Sequence, residues 1–465
     1  MASLTQAERR SVGVLARKHC SRSDLGDLDA KRCASDPLQV LSASMHGRIA
    51  SLIPLKYQRM AASPFGFFRG AASIMAADLA AHPHTGLVTQ LCGDAHVANL
   101  GAFAAQDGGL VFDLNDFDET IQGPFEWDVK RFATSLLLAG RETGLDREAR
   151  QASVDTFTQS YSTAMQQFAT MPVVELARFQ IRRLAHLAPI PAIFRIAQRS
   201  TPQRLLDKLT AQPATPGGAR HLLHQPPLQQ AVTELERDGI LAGLEHYGAT
   251  LQSERRHFFA QYRPVDVVLR VVGTGSVGLR CYVVYMEGSS RRPGSDPLFL
   301  QVKEEPASAY AAYLPRSASG TPHQGERVVD GQRLMQLVSD PFLGYTTVHG
   351  RDYLVRQFND HKASLDLSSI TPAMLQGYAS LCGEILARGH ARGGDPAAIS
   401  AYIGSNGRFS KSILRFAESY ARKTRQDWKA LRQKMKQQGI PLVEADTTSS
   451  KSKKASATSA KASKR

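Results

Sequence analysis

The stretch LCGDAHVANLGAF, residues 91–103, decides how this chain is read. It sets Asp94, His96 and Asn99 within six residues, behind Gly93 and at the end of the apolar run LVTQLC (87–92). That run is partly β-branched and predicts a strand, so the three polar side chains fall where strand gives way to loop. A second strand, LVFDL (110–114), is expected after the turn signal Asp107-Gly108-Gly109. Behind it comes NDFDE, with Asp116 and Asp118. Pairing the two strands would bring all these groups to one edge. Such a set suits phosphoryl transfer. One carboxylate orients or deprotonates an attacking hydroxyl, while an amide oxygen and a second carboxylate hold magnesium, a hard cation that prefers oxygen. The plain alternative is a hairpin whose Asp and Asn serve turns and caps. D-x-x-x-x-N with D-F-D beginning 22 residues after Asp94 favours the chemical reading.

Further along, VVGTGSVG (271–278) gives G-x-G-x-x-G at Gly273, Gly275 and Gly278. It lies between two expected strands within 265–288, whereas a dinucleotide-binding turn should lead into a helix. A glycine hairpin over phosphates fits better, because missing side chains let backbone N–H groups approach. The next strand, PLFLQVKEE (297–305), carries Lys303 near its end, placed to neutralise phosphate charge. Its acid partner is expected on the helix near 325–340: Glu326 first, with Glu304 and Glu305 as alternatives. FLGYTTVHGRDYLVRQF (342–358) predicts a hairpin turning at His349-Gly350, completing a unit of five strands and one helix.

Three further stretches carry weaker signals. In RMAASPFGFFRG (59–70), Arg59 and Arg69 flank a Pro/Gly turn with three Phe; arginine forks suit phosphate, and an aromatic plug is the alternative. Pro64 and Gly66 are expected to interrupt helix there. In GPFEWDVKRF (123–132), Asp128 either caps the helix expected over 128–144 or braces the loop at 94. His390, in LARGHARGGD (386–395), reads as a structural cap or surface turn.

The chain has 465 residues, which implies more than one sub-domain. Its segments are expected as an N-terminal helical part (1–50), the part bearing both acidic loops (51–145), a helical part (146–262), a β-rich unit (263–360), C-terminal helices (361–440) and a disordered tail (447–465). The five cysteines, Cys20, Cys33, Cys92, Cys281 and Cys382, form no C-x-x-C pair, so neither a disulfide framework nor a zinc site is expected. No apolar run is long enough for a membrane span, and no leader pattern opens the chain; cytoplasm is the expected location. The net charge is +15, and the tail holds six basic residues and no acid. That balance suits an anionic ligand. Nucleic acid enters only as a non-specific partner of the tail, since no nucleic-acid motif is present.

CGDAHVANLGAF resembles the catalytic loop H-G-D-x-x-x-x-N of aminoglycoside- and choline-kinase-like phosphotransferases. VFDLNDFDETIQGPFEWDV resembles their metal-binding segment, and VVGTGSVG with LQVK resembles the kinase glycine loop and strand lysine. The resemblance implies an α+β, protein-kinase-like two-lobed fold, with a β-rich small lobe and a mainly helical large lobe. Here the glycine loop follows the catalytic loop, so the order is circularly permuted. The implied activity is ATP- and Mg2+-dependent phosphotransfer to a hydroxyl, with a small molecule as acceptor. Asp94 would be the base, Asn99 and Asp116 the metal ligands, and Asp118 an assistant. Gly273, Gly275, Gly278 and Lys303 would meet the phosphates, with Glu326 as the lysine's partner. Cys92 stands where that family has His, so its brace is absent or supplied elsewhere, His96 being one substitute. The insert GSSRRPGSD is a second departure. From about 50 to 435 the chain also resembles the bacterial domain-of-unknown-function family 2252, through stretches such as RMAASPFGFFRG, FDLNDFDET and ERVVDGQRLMQ. That family's name assigns no activity. Competing readings are a nucleotide-binding module without turnover, an AMP-transferring variant, and a metallophosphoesterase. The last is suggested by D-A-H at 94–96 and weakened by the absence of a G-N-H.

Overall fold

A computed structural model describes residues 4–33, 36–105, 109–181, 189–211, 220–289, 294–358 and 363–442. The expected turn at 107–108, the middle of the GSSRRPGSD insert and the basic tail lie outside these residues.

Helices begin where the sequence supplies caps. Thr5 and Glu8 form a reciprocal capping box for α1 (Gln6–His19). Helix α2 (Pro37–Ala43) follows, then three short helices, α3 (Ile53–Ala61), α4 (Pro64–Gly70) and α5 (Ala72–Ala80). The break expected at Pro64 and Gly66 falls instead at Ala62-Ser63. Pro64 opens α4, where a missing N–H costs nothing, and the Ser63 hydroxyl accepts from the Gly66 N–H at 2.9 Å.

Four short strands come next: β1 (Val88–Leu91), β2 (Leu100–Ala104), β3 (Leu110–Leu114) and β4 (Ile121–Pro124). The expected ladder between 87–92 and 110–114 is not formed. β1 pairs antiparallel with β4, and β2 with β3. The two ladders are nested, so the loop leaving β1 and the loop leaving β3 lie side by side between them. Helix α6 (Glu126–Glu142) then runs through the protein's centre, buried from Glu126 to Gly140. Against it pack α7 (Arg147–Phe168), α14 (Pro372–Gly393) and α16 (Arg408–Gln437), while α15 (Pro396–Ile403) packs on α7 and α1. Trp127, Phe132, Tyr161, Tyr378 and Phe416 are among the large side chains of this main core. Helices α8 (Val173–Ala177) and α9 (Ile190–Arg199) continue the chain beyond α7.

The β-rich unit is larger than expected. It begins with α10 (Pro202–Leu209), the small ladder β5 (Thr210–Ala211) and β6 (His221–Leu222), strand β7 (Gln229–Ala231), and helices α11 (Glu234–Thr250) and α12 (Ser253–Phe259). Then come β8 (Arg263–Arg270), β9 (Cys281–Glu287), β10 (Pro297–Glu304), α13 (Gln324–Met335), β11 (Gly344–Val348) and β12 (Arg351–Gln357). The sheet has six strands in the order β11-β12-β10-β9-β8-β7, all antiparallel. Alternation explains why α10 and α11 belong here rather than with the helical part at 146–262. Tyr282, Val284, Leu298 and Leu300 face α11 residues Ile240, Leu244 and Tyr247. Val283, Tyr285 and Phe299 face Leu205, Leu206 and Leu209 of α10. A sheet apolar on both faces needs a helix on each. The hairpin turn falls at His349-Gly350 as expected, with both residues left-handed at φ 49° and 71°. A last short strand, β13 (Ala363–Ser364), extends the β2–β3 ladder. All five cysteines are buried and free.

Candidate active site

The loop after β1 turns at Gly93, where φ is +82° and a Cβ would lie 2.1 Å from the Glu119 carbonyl oxygen. Only glycine fits. The backbone N–H groups of Cys92 and Gly93 both donate to the Asp128 carboxylate, at 2.6 and 3.0 Å. Asp128 lies in the first turn of α6, so it braces the loop rather than capping its helix. His390 of α14, fully buried, sits 3.3 Å from the same carboxylate, and the Tyr161 hydroxyl of α7 is 2.8 Å from its other ring nitrogen. His390 is therefore part of the brace, not a surface turn. Burial forbids an unpartnered imidazole, and three elements converge to satisfy it.

Asp94 follows. One of its oxygens takes the Arg131 guanidinium, with Nε at 2.7 Å. Arg131 is fully buried, donates to the Phe68 carbonyl oxygen at 3.1 Å, and lies over the Phe68 ring. The other Asp94 oxygen faces His96, whose Nε2 is 3.7 Å away. Burial, the largest effect on His96, pulls its pKa down to about 4, so the ring is neutral at pH 7 and its Nδ1 accepts from the Ala98 N–H at 3.2 Å. Arg69 reaches this edge from α4. Its guanidinium is 6.0 Å from the Phe65 ring, which meets His96 edge-on, and its Nε is buried without a hydrogen bond.

Asn99 ties the two loops together. Its amide NH2 donates to the carbonyl oxygens of Asp94, at 3.0 Å, and Asp116, at 2.9 Å. The amide oxygen is left buried with no hydrogen bond. Beyond it stand Asp116 and Asp118. Lys303, 2% exposed, ion-pairs with Asp118 and approaches Asp116 at 3.6 Å. Burial alone would weaken the lysine's hold on its proton, but the two carboxylates outweigh it and hold the ammonium above its usual range. Burial, then the Asp116 charge, push Asp118 upward as well, toward the protonated form, against the pull of Lys303.

The glycine hairpin closes over this group. The Ser276 hydroxyl donates to Asp118 at 3.1 Å. Gly273 and Gly278 are left-handed, at φ 65° and 90°. The hairpin's carbonyls are held from the far side by residues 48–59. Arg48 donates to the Val277 oxygen at 2.7 Å, the Ile49 N–H to Gly278 at 2.7 Å, and Arg59 to Gly273. Lys56 donates to Gly275 and, at 3.3 Å, to Thr274. Lys56 is 1% exposed, and burial followed by the Arg48 charge drive its pKa well below the ordinary range. Gly275 packs against the Arg69 carbonyl, 3.3 Å from where a Cβ would stand.

Thus Asp94, His96, Asn99, Asp116, Asp118, Lys303 and the glycine hairpin form one connected group, with Asp128 behind and Arg69 beside it. Glu326 does not join them. Its carboxylate is bonded to Thr321 and to the Tyr345 hydroxyl at 2.8 Å, and the partners of Lys303 are the NDFDE carboxylates. The α13 residue that turns inward is Arg327, which donates to the carbonyl oxygens of Asp118 at 2.9 Å and Pro306 at 3.0 Å. Of the two alternatives, Glu304 pairs with Arg351 at 2.7 Å and with Arg280 at 3.2 Å. Glu305, two residues past Lys303, is fully buried with neither carboxylate oxygen hydrogen-bonded, and burial pushes it well toward the neutral acid. Arg131, Lys56, Arg48 and Ser276 were not singled out from the sequence. Arg131 had a signal: it stands one helical turn from Asp128, so both reach the same loop. Among the described residues, no three His, Cys, Asp or Glu side chains gather as a metal-ligating group. The candidate oxygen set rests on Asn99 together with two carboxylates.

No helix among the described residues is long and apolar enough to cross a membrane. Residues 48–434 match the family described as an uncharacterized protein conserved in bacteria (DUF2252). No curated protein and no solved structure matches the chain.

Proposed function

We propose that this chain, which belongs to the DUF2252 family of bacterial proteins, is a phosphotransferase that moves a phosphoryl group from a magnesium nucleoside triphosphate to a hydroxyl of a small molecule. The observation that carries the reading is Asn99. Its NH2 is committed to the backbones of both acidic loops, at the Asp94 and Asp116 carbonyl oxygens, so its buried oxygen is left unbonded, and such an oxygen suits a hard cation. Magnesium held by Asn99 and Asp116 would offset charge on the phosphates. Lys303 would meet the same charge, exchanging part of its pairing with Asp116 and Asp118 for phosphate oxygens. The hairpin Gly273–Gly278 would cover them with its backbone, and Asp94 would accept the acceptor's proton through the oxygen that Arg131 leaves open. In this reading the six-stranded sheet is the small lobe of a permuted kinase-like arrangement.

A second reading, nucleotide binding without turnover, draws on the Arg131–Asp94 ion pair, which commits one oxygen of the expected base to a structural arginine. Calorimetric titration of the wild type with ATP and magnesium tests the first element, beside Asp116→Ala. Magnesium-dependent binding weakened tenfold or more by the substitution is expected; absence of binding by folded wild type overturns the proposal. Asp94→Asn then separates the two readings. It abolishes transfer but keeps ATP affinity if Asp94 is the base. Mass analysis of the acceptor product distinguishes a phosphoryl from an AMP group.

A further inference from the structure

A cavity of about 380 Å3 opens between the end of α1, the turn that follows, and the start of α16. Arg17, Arg22, Arg408 and Lys411 line it, and its remaining walls are serine; no acid lines it. Two of the cations are fixed in place. Arg17 Nε donates to the Tyr402 carbonyl oxygen at 3.0 Å and Arg22 to Ile403 at 2.9 Å, at the C-terminus of α15. These forks converge. At Gly404, left-handed with φ +68°, a Cβ would lie 2.5 Å from Arg22 Nη1 and 3.1 Å from Arg17 Nη2. The nearby acids are engaged elsewhere: Asp24 accepts from the Ser21 N–H at 2.8 Å, and Asp27 pairs with Arg415 at 2.8 Å. Burial, then the charges of Arg17 and Arg408, lower the proton affinity of Arg22, as expected where like charges gather without a counter-charge. Carbonyls orient these guanidiniums but carry only the partial charge of a helix end.

We propose that this cleft is a second anion site, apart from the Asp94 centre, which takes a small ligand bearing two or more linked phosphates. Four cations outnumber the charge of one phosphate, the arginine forks match phosphate oxygens in pairs, and the serine hydroxyls add donors. The volume lies at the small-molecule end of ligand cavities. The ligand would bridge α1, which precedes the part of the chain that matches the family, to α16, which lies mostly within it.

The test titrates the full-length chain with inorganic tripolyphosphate at physiological salt. The tail is present in every variant, so its contribution cancels. Arg408→Gln with Lys411→Gln removes two exposed cations, and is expected to weaken binding tenfold or more. Gly404→Ala, which crowds both forks, should weaken it as well. Asp116→Ala, at the other centre, should leave this binding unchanged. Equal affinity in wild type and the double variant overturns the proposal, as does loss in Asp116→Ala alone. A single-stranded oligonucleotide that binds tighter, with the same residue dependence, would replace it with a nucleic-acid surface.

Discussion

At Asn99 a single side chain joins two loops, and the neighbouring His96 shows what burial does to one that titrates. His96 is 6% exposed and its folded pKa is about 4, against 6.5 when unperturbed. The unfolded chain therefore takes up this proton first as pH falls. The stabilisation is fully present above about pH 6.5 and is lost between there and about pH 4, amounting to about 3 kcal/mol at most. Urea unfolding of wild type and His96→Asn at pH 7.5 and 4.5 checks this. The wild type should lose stability to acid more steeply than the variant, and parallel losses would contradict the assignment. At this scale the site was partly legible. Asp94, Asn99 and Asp116 were legible because their spacing places them on adjoining loops. Arg131 and Lys56 were not, because a basic residue on a helix reads as solvated until tertiary packing buries it. Glu326 is expected as the lysine's partner because that partner must be an acid, whereas the helix face turns its neighbour Arg327 inward instead.

At the scale of the element, the glycine hairpin is held by its carbonyls. Lys56 has its ammonium on the carbonyl oxygens of Gly275 and Thr274, with no ion-pair partner among the described residues. Lys56→Met should free that part of the hairpin, speeding amide exchange across 273–278 about tenfold, while Lys56→Arg restores much of the protection. Unchanged exchange in the methionine variant would show that Arg48 and Arg59 suffice. Strand signals were legible where β-branched and aromatic residues run together, as in β9 and β10. They failed at β2 and β4, LGAFA and IQGP, where glycine and proline mark turns in isolation but here sit in ladders of four or five residues. Pairing partners were beyond local pattern, since β1 meets β4 across both acidic loops.

For the whole molecule, the α+β class was legible and the allotment of helices was not. Amphipathic α10 and α11 announce an apolar face but not which surface receives it. The sheet has cores of its own on both faces, distinct from the main helical core. Leu300→Ala, in the α11-facing core, should cost roughly 2–5 kcal/mol there. Hydrogen exchange should quicken in β8–β12 and leave the α7–α14 pairing protected. Uniform loss of protection would mean that the chain unfolds as one unit.

The grip of residues 48–59 on the hairpin at 273–278 also bears on how the chain is made. Synthesis runs from the N-terminus, so Lys56 leaves the ribosome long before its carbonyl partners exist. At typical elongation rates that interval is roughly 10 to 45 seconds. Until then α3 carries an ammonium with no buried acceptor, and the Asp94 loop can fold without its cover. Assembly of the site therefore waits on translation of the sheet, and the His390 brace behind the Asp94 loop, carried by α14, comes later still.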